Sequence, residues 1–196
     1  PLVTAAGAAD GVSGVWALPE RPRDAYHHVC VLSFLAGTRI LSVAAVLEDR
    51  TAAVDVDADA RTIFAYTPVD GRMAQVTASG VRIAAFDGSP ATVWTLADTV
   101  ADATIAAASG DCNMLALLTS GNEIVLLRID GASGAVSVLG RRVLNVQVSA
   151  MRLDMGTDLL YVGTYAPSIG TFRLDAAVTV VTGGDGGGGA GGDSWQ

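Results

Sequence analysis

His27 and His28 stand just before Cys30, and histidine and thiolate are the ligands of zinc. A tetrahedral site takes four such groups. The chain holds 2 histidines and 2 cysteines in all, with Cys112 far downstream. No second cluster completes a set, so no metal is expected. Asp55, Asp57 and Asp59 alternate as the acids of a calcium loop do. Ala60 stands where that loop needs glycine, and Tyr66 where it needs a bidentate glutamate. The three acids read as a solvated loop. No serine sits in a nucleophile elbow, and neither histidine has an evident acid or nucleophile partner. Spacing alone assigns no carboxylate pair to glycosidic chemistry. The glycine run near the end cannot cradle phosphate, because no helix opens after it. The residues therefore predict no enzyme, no cofactor and no small-molecule ligand.

Composition narrows the partners. Of 196 residues, 51% are apolar and 16% charged, which suits a buried core. Mean hydropathy is +0.43, yet no apolar run approaches the roughly 18 residues of a membrane helix. The net charge is −8, every cation is arginine, and Arg141–Arg142 is the one adjacent basic pair. Binding to a phosphate backbone draws on clustered Lys and Arg, so direct nucleic-acid contact is not expected. Cys30 and Cys112 read as small hydrophobes inside apolar strands, in a reducing, intracellular compartment. The chain opens on Pro1 and shows no signal peptide, which reads as a fragment or an excised domain.

The elements that would position any site are strands. Val29 to Phe34, a turn at Gly37, and Ile40 to Val43 read as a hairpin, the start of a unit running to about Leu47. Three longer units follow, each an apolar strand, an Asp/Gly turn, a strand, a second turn and a strand. Their first turns are Asp70-Gly71, Gly110-Asp111 and Met155 to Asp158. The spacing is regular: 43 positions separate Phe86 from Ile129, and 45 separate Ile129 from Leu174. A period of about 40–45 residues with up to four strands is that of a β-propeller blade. Fourth strands are expected at Thr92–Thr95 and Val136–Leu139. The fold class is therefore all-β, an open arc of about four antiparallel, WD-repeat-like blades; a β-sandwich is the other all-β reading. Ala97–Ala108 is ambiguous between helix and strand. Residues 1–28, punctuated by Gly7, Gly11, Gly14, Pro19 and Pro22, read as a linker leading into the fold. Residues 29–182 are the partial propeller, and 183–196 a flexible Gly-rich tail.

Gly11-Val12-Ser13-Gly14-Val15-Trp16-Ala17-Leu18, Val31-Leu32-Ser33-Phe34 with Gly37-Thr38-Arg39-Ile40-Leu41, and Gln75-Val76-Thr77 with Gly80-Val81-Arg82 carry a family pattern. Together they resemble the scaffold shared by three large subunits. These are the UV-damaged-DNA-binding protein large subunit, the cleavage and polyadenylation specificity factor large subunit, and the splicing factor 3b propeller subunit. The likeness covers roughly residues 11–175 and is nearest to the first. The Ala- and Asp-rich loop 43–61 and the glycine tail depart from the pattern.

The resemblance implies three seven-bladed propellers in the parent, with this stretch similar to the start of the second. It implies a nuclear, non-catalytic protein-interaction scaffold whose second propeller docks a cullin, while the others hold substrate receptors. A scaffold subunit in pre-mRNA 3′-end processing or splicing is the alternative. A ligand-binding or enzymatic propeller, with its site at the central channel, is the second. It further implies that Gly11–Leu18 leads in from a preceding propeller and that Trp16 docks onto the blades, with Gly11 and Gly14 shaping the backbone path. Phe34 and Arg39 are the other structural or docking residues. No cullin-contact residue is carried over.

Overall fold

The computed structural model describes residues 11–22, 24–43, 46–165, 169–173 and 180–182, the last two stretches as strand backbone only. Sixteen strands form four sheets of four. The first holds β1 (Val12–Leu18), β2 (Val29–Phe34), β3 (Gly37–Val43) and β4 (Leu47–Asp49). The second holds β5 (Phe64–Val69), β6 (Arg72–Val76), β7 (Gly80–Ala85) and β8 (Thr92–Thr95). β9 (Ile105–Asp111), β10 (Met114–Thr119), β11 (Glu123–Ile129) and β12 (Val136–Val143) form the third. The fourth is β13 (Val148–Asp154), β14 (Leu159–Thr164), β15 (Ile169–Arg173) and β16 (Val180–Thr182). Each is an antiparallel meander in chain order. The first strands of consecutive sheets lie beside one another, β1 by β5, β5 by β9 and β9 by β13. That places them innermost, as in a propeller, and the expected all-β blade architecture is the one observed.

Burial follows each sheet's position. All six residues of β10 are buried, because the third sheet has a neighbour on both faces. Its sequence Met-Leu-Ala-Leu-Leu-Thr accordingly runs apolar without alternation. β2 alternates buried and half-buried instead. Val29, Val31 and Ser33 face the second sheet, into a cluster with Ile40, Met73 and Phe86. Cys30, Leu32 and Phe34 face the other way, onto a side that no described sheet covers.

Side chains clamp the blades across their inner strands. The Thr67 hydroxyl donates to the Pro19 carbonyl at 2.6 Å, and the Tyr66 hydroxyl to the Met114 carbonyl at 3.0 Å. The Ser109 hydroxyl accepts from the Leu153 N–H at 2.9 Å, and the Asp111 carboxylate from the Met155 N–H at 2.8 Å. Farther out, Arg141 joins the buried Glu123 at 2.7 Å and donates to the Thr99 carbonyl at 2.7 Å, tying the third sheet to the second.

Three expectations change, and one open reading is decided. Residues 12–18 are not linker: they form β1, paired with β2 from Val12↔Phe34 to Leu18↔Val29. The glycines that suggested irregular chain serve a bulge between Val12 and Gly14 and a ring packed over Gly14. Cys112 lies outside any strand, in the exposed β9–β10 turn at φ 48°. Asp55 is anchored rather than merely solvated, bonding Arg82 at 3.0 Å and the Ala91 N–H at 2.8 Å. The ambiguous alanine window is a short 3-10 turn at Leu96–Asp98 followed by β9 from Ile105. The expected fourth strand at Thr92–Thr95 is β8, and that at Val136–Leu139 is the start of the longer β12. The glycine tail, residues 1–10 and the turn at Pro167-Ser168 lie outside the described residues.

Candidate functional site

β1 carries Gly14 and Trp16, two of the residues singled out in the sequence. Gly11 precedes it at φ +83°, a backbone conformation that favours glycine. Trp16 pairs with Val31, and its half-buried ring packs on the cluster between the first two sheets. The ring folds back along its own strand. A Cβ on Gly14 would lie 2.4 Å from Trp16 Cη2, so only glycine leaves room for the indole. Ser13 fixes the start of the strand by donating to the Ser33 carbonyl at 3.2 Å.

Phe34 and Arg39 lie apart from Trp16. Phe34 ends β2 opposite Gly37, half-buried on the uncovered face of the first sheet. Arg39 is exposed and pairs with Asp49 on β4 at 3.0 Å. Asp49 also accepts the Thr51 hydroxyl at 2.6 Å and the Thr51 N–H at 2.9 Å. The Thr51 hydroxyl, then its amide, and then the Arg39 guanidinium hold the Asp49 carboxyl below its ordinary range. These groups border an open groove of about 480 Å³ floored by Thr38, Ala52 and Ala58.

A second cleft, of about 530 Å³, runs along the inner strands of three blades. Val15, Trp16, Tyr66, Gly110, Asp111 and Cys112 are among its lining. A Cβ on Gly110 would lie 2.5 Å from the Tyr66 ring, so this glycine admits the phenol as Gly14 admits the indole. Burial, then the Asp111 carboxylate and the Cys112 thiol, push the Tyr66 hydroxyl far above its ordinary range. It serves as a hydrogen-bond donor to Met114. The Asp111 carboxylate accepts the Met155 N–H. The sequence does not mark Tyr66, Gly110 and Asp111 as a cluster. The Gly-Asp pair marked a turn, and nothing in the spacing joins it to a tyrosine 45 positions earlier.

His27 and His28 are exposed on the approach to β2, and His28 enters the fold through its backbone, donating to the Leu18 carbonyl at 3.1 Å. Among the described residues no group of three or more His, Cys, Asp or Glu could hold a metal ion, and no helix is long and apolar enough to cross a membrane. The sites thus offer shape, apolar surface and fixed hydrogen-bond donors and acceptors.

Three plant proteins are similar in sequence. DNA damage-binding protein 1a of Arabidopsis thaliana is 26% identical over 150 residues, and DNA damage-binding protein 1b of the same plant 24% over 148. Each alignment covers 74% of this chain and 13% of the relative. DNA damage-binding protein 1 of Oryza sativa subsp. japonica is 27% identical over 123 residues, covering 61% of the chain and 11% of the relative. The chain thus spans about an eighth of the length of these relatives. The model of the RSE1/DDB1/CPSF1 second beta-propeller matches residues 3–185, nearly the whole chain and all four sheets. This chain belongs to the RSE1/DDB1/CPSF1 second β-propeller family.

Proposed function

We propose that this chain is part of a non-catalytic, nuclear protein-interaction scaffold, the adaptor subunit of a cullin-type ubiquitin ligase acting in the DNA damage response. The observation that carries the reading is the second-propeller match across residues 3–185, joined to relatives named as DNA damage-binding proteins. The geometry is consistent with it: clamps between inner strands hold the blades in register and leave outer strands and turns to face partners. On this reading the second propeller docks a cullin, and propellers elsewhere in the parent hold substrate receptors. Trp16, placed by Gly14, ties β1 to the second blade, while Phe34 and Arg39 lie on surfaces open to docking.

The second reading rests on the same match, because the family model spans RSE1 and CPSF1 as well. It makes the parent a scaffold in splicing or in pre-mRNA 3′-end processing. Affinity purification of the intact protein from nuclear extract, with mass spectrometry of the captured subunits, separates the two. A cullin with substrate receptors supports the ligase. Polyadenylation or splicing subunits without a cullin replace it with the second reading. A catalytic turnover that depends on His27 or His28 overturns both.

A further inference from the structure

The turn Asp87-Gly88-Ser89-Pro90 joins β7 to β8, and all four residues are exposed. Ser89 is held only locally: its hydroxyl and its N–H both donate to Asp87 Oδ1, the N–H at 2.9 Å. The sequence contains two hydroxyl residues followed by proline. The other, Thr67, is buried in β5 with its hydroxyl on the Pro19 carbonyl. Pro90 has no N–H and biases Ser89 towards an extended backbone, the form in which a peptide enters a kinase cleft.

An arginine stands on the strand paired with the one that leads into this turn. Arg72 opens β6 and pairs with Ala85, two residues before Asp87. It takes part in none of the three ion pairs among the described residues. Its Nη1 lies 3.1 Å from where a Cβ on Gly134 would stand, so the guanidinium reaches towards the 130–134 turn of the next blade. Its charge is felt at Asp87, whose carboxyl is held below the ordinary range by the Ser89 hydroxyl and amide first and by Arg72 as well.

We infer that Ser89 is a phosphorylation site for a proline-directed Ser/Thr kinase and that Arg72 receives the phosphate. Ser89 Oγ attacks the γ-phosphorus of ATP. The Oγ–P bond forms as the bond to ADP breaks, and the hydroxyl proton passes to the kinase's base. That proton is the one Ser89 donates to Asp87, so the modification removes the side-chain bond of the turn. A group of about −1.5 to −2 charge then stands beside a carboxylate and repels it. Arg72 offers paired N–H donors to the new oxygens. The phosphate thereby exchanges a bond within the turn for one to β6, beside the third blade.

The test incubates the intact, folded protein with ATP, Mg²⁺ and a proline-directed kinase, and maps the product by mass spectrometry. One phosphate on Ser89 is expected, absent from Ser89→Ala and formed at least ~10-fold more slowly in Pro90→Ala. The phosphate is then titrated by ³¹P NMR. Its second pKa, ordinarily about 6, is raised by the Asp87 carboxylate and lowered by Arg72, and is expected to rise further in Arg72→Gln. Failure of Ser89 in the folded protein to accept phosphate overturns the site. A titration unchanged in Arg72→Gln overturns the role of Arg72.

Discussion

Replacing Gly14 by alanine tests how β1 is seated. The new Cβ would stand 2.4 Å from Trp16 Cη2 and 2.8 Å from Cζ3, far inside contact distance. The backbone of β1 is fixed by its ladder to β2, so the indole is the part that moves. A fully buried tryptophan truncated to alanine costs about 3–5 kcal/mol, and the half-buried Trp16 about 2–3. Displacing the ring forfeits most of that. Gly14 is not held at positive φ, so alanine returns about 0.5 kcal/mol through the unfolded chain. Gly14→Ala should therefore destabilise by about 2 kcal/mol and Trp16→Ala by about 2–3. Once the ring is gone, Gly14→Ala should be neutral or slightly stabilising. The double-mutant cycle, read by urea unfolding of the intact protein, should give a coupling of about 2 kcal/mol. Additive losses would mean the indole does not rest on Gly14, and the seating of β1 would need another explanation.

Three further outcomes follow from other sites. Gly80→Ala places a Cβ 2.2 Å from the Trp94 backbone oxygen, which no side-chain rotation relieves; a loss of about 2–3 kcal/mol is expected in thermal unfolding, with β7–β8 amides exchanging faster. The Asp49 carboxyl titrates lower folded than unfolded, so its contribution is present above the unfolded value of about 3.9 and is lost as pH falls through the folded one. NMR titration of its side-chain carbon should show that low value, moving upward in Thr51→Ala. Residues 1–196 made alone should associate in a concentration-dependent way, because one face of the first sheet exposes Val15 at 59%, Val43 at 40% and Leu47 at 38%. A sharp, concentration-independent melt of a monomer would contradict this.

The blades were legible in the sequence where packing on both faces writes a strong signal. Leu115, Leu117, Val125 and Leu127 stand in nearly unbroken apolar strands because their sheet is packed on both faces. β1 was not legible, since Gly14 sits mid-strand to accommodate the Trp16 ring and removes a side chain that would have marked the alternation. β4 has three exposed residues, of which Leu47 alone is apolar, too few to show an alternation. The clamps were hidden for another reason. Tyr66 to the Met114 carbonyl and Ser109 to the Leu153 amide join a side chain to a backbone group 48 and 44 positions away. A backbone group has no residue type to read. Asp55 likewise resembled a solvated acid until Arg82 and Ala91 folded against it.

The role we propose for the parent is a scaffold whose second propeller docks a cullin. Its most direct test is binding of the purified intact protein to the purified cognate cullin, followed by calorimetry with no other subunit present. A saturable one-to-one complex, weakened by Trp16→Ala only as far as that variant unfolds the first blade, is the predicted result. No heat of binding to a folded protein that instead forms a stable complex with polyadenylation or splicing subunits would contradict it.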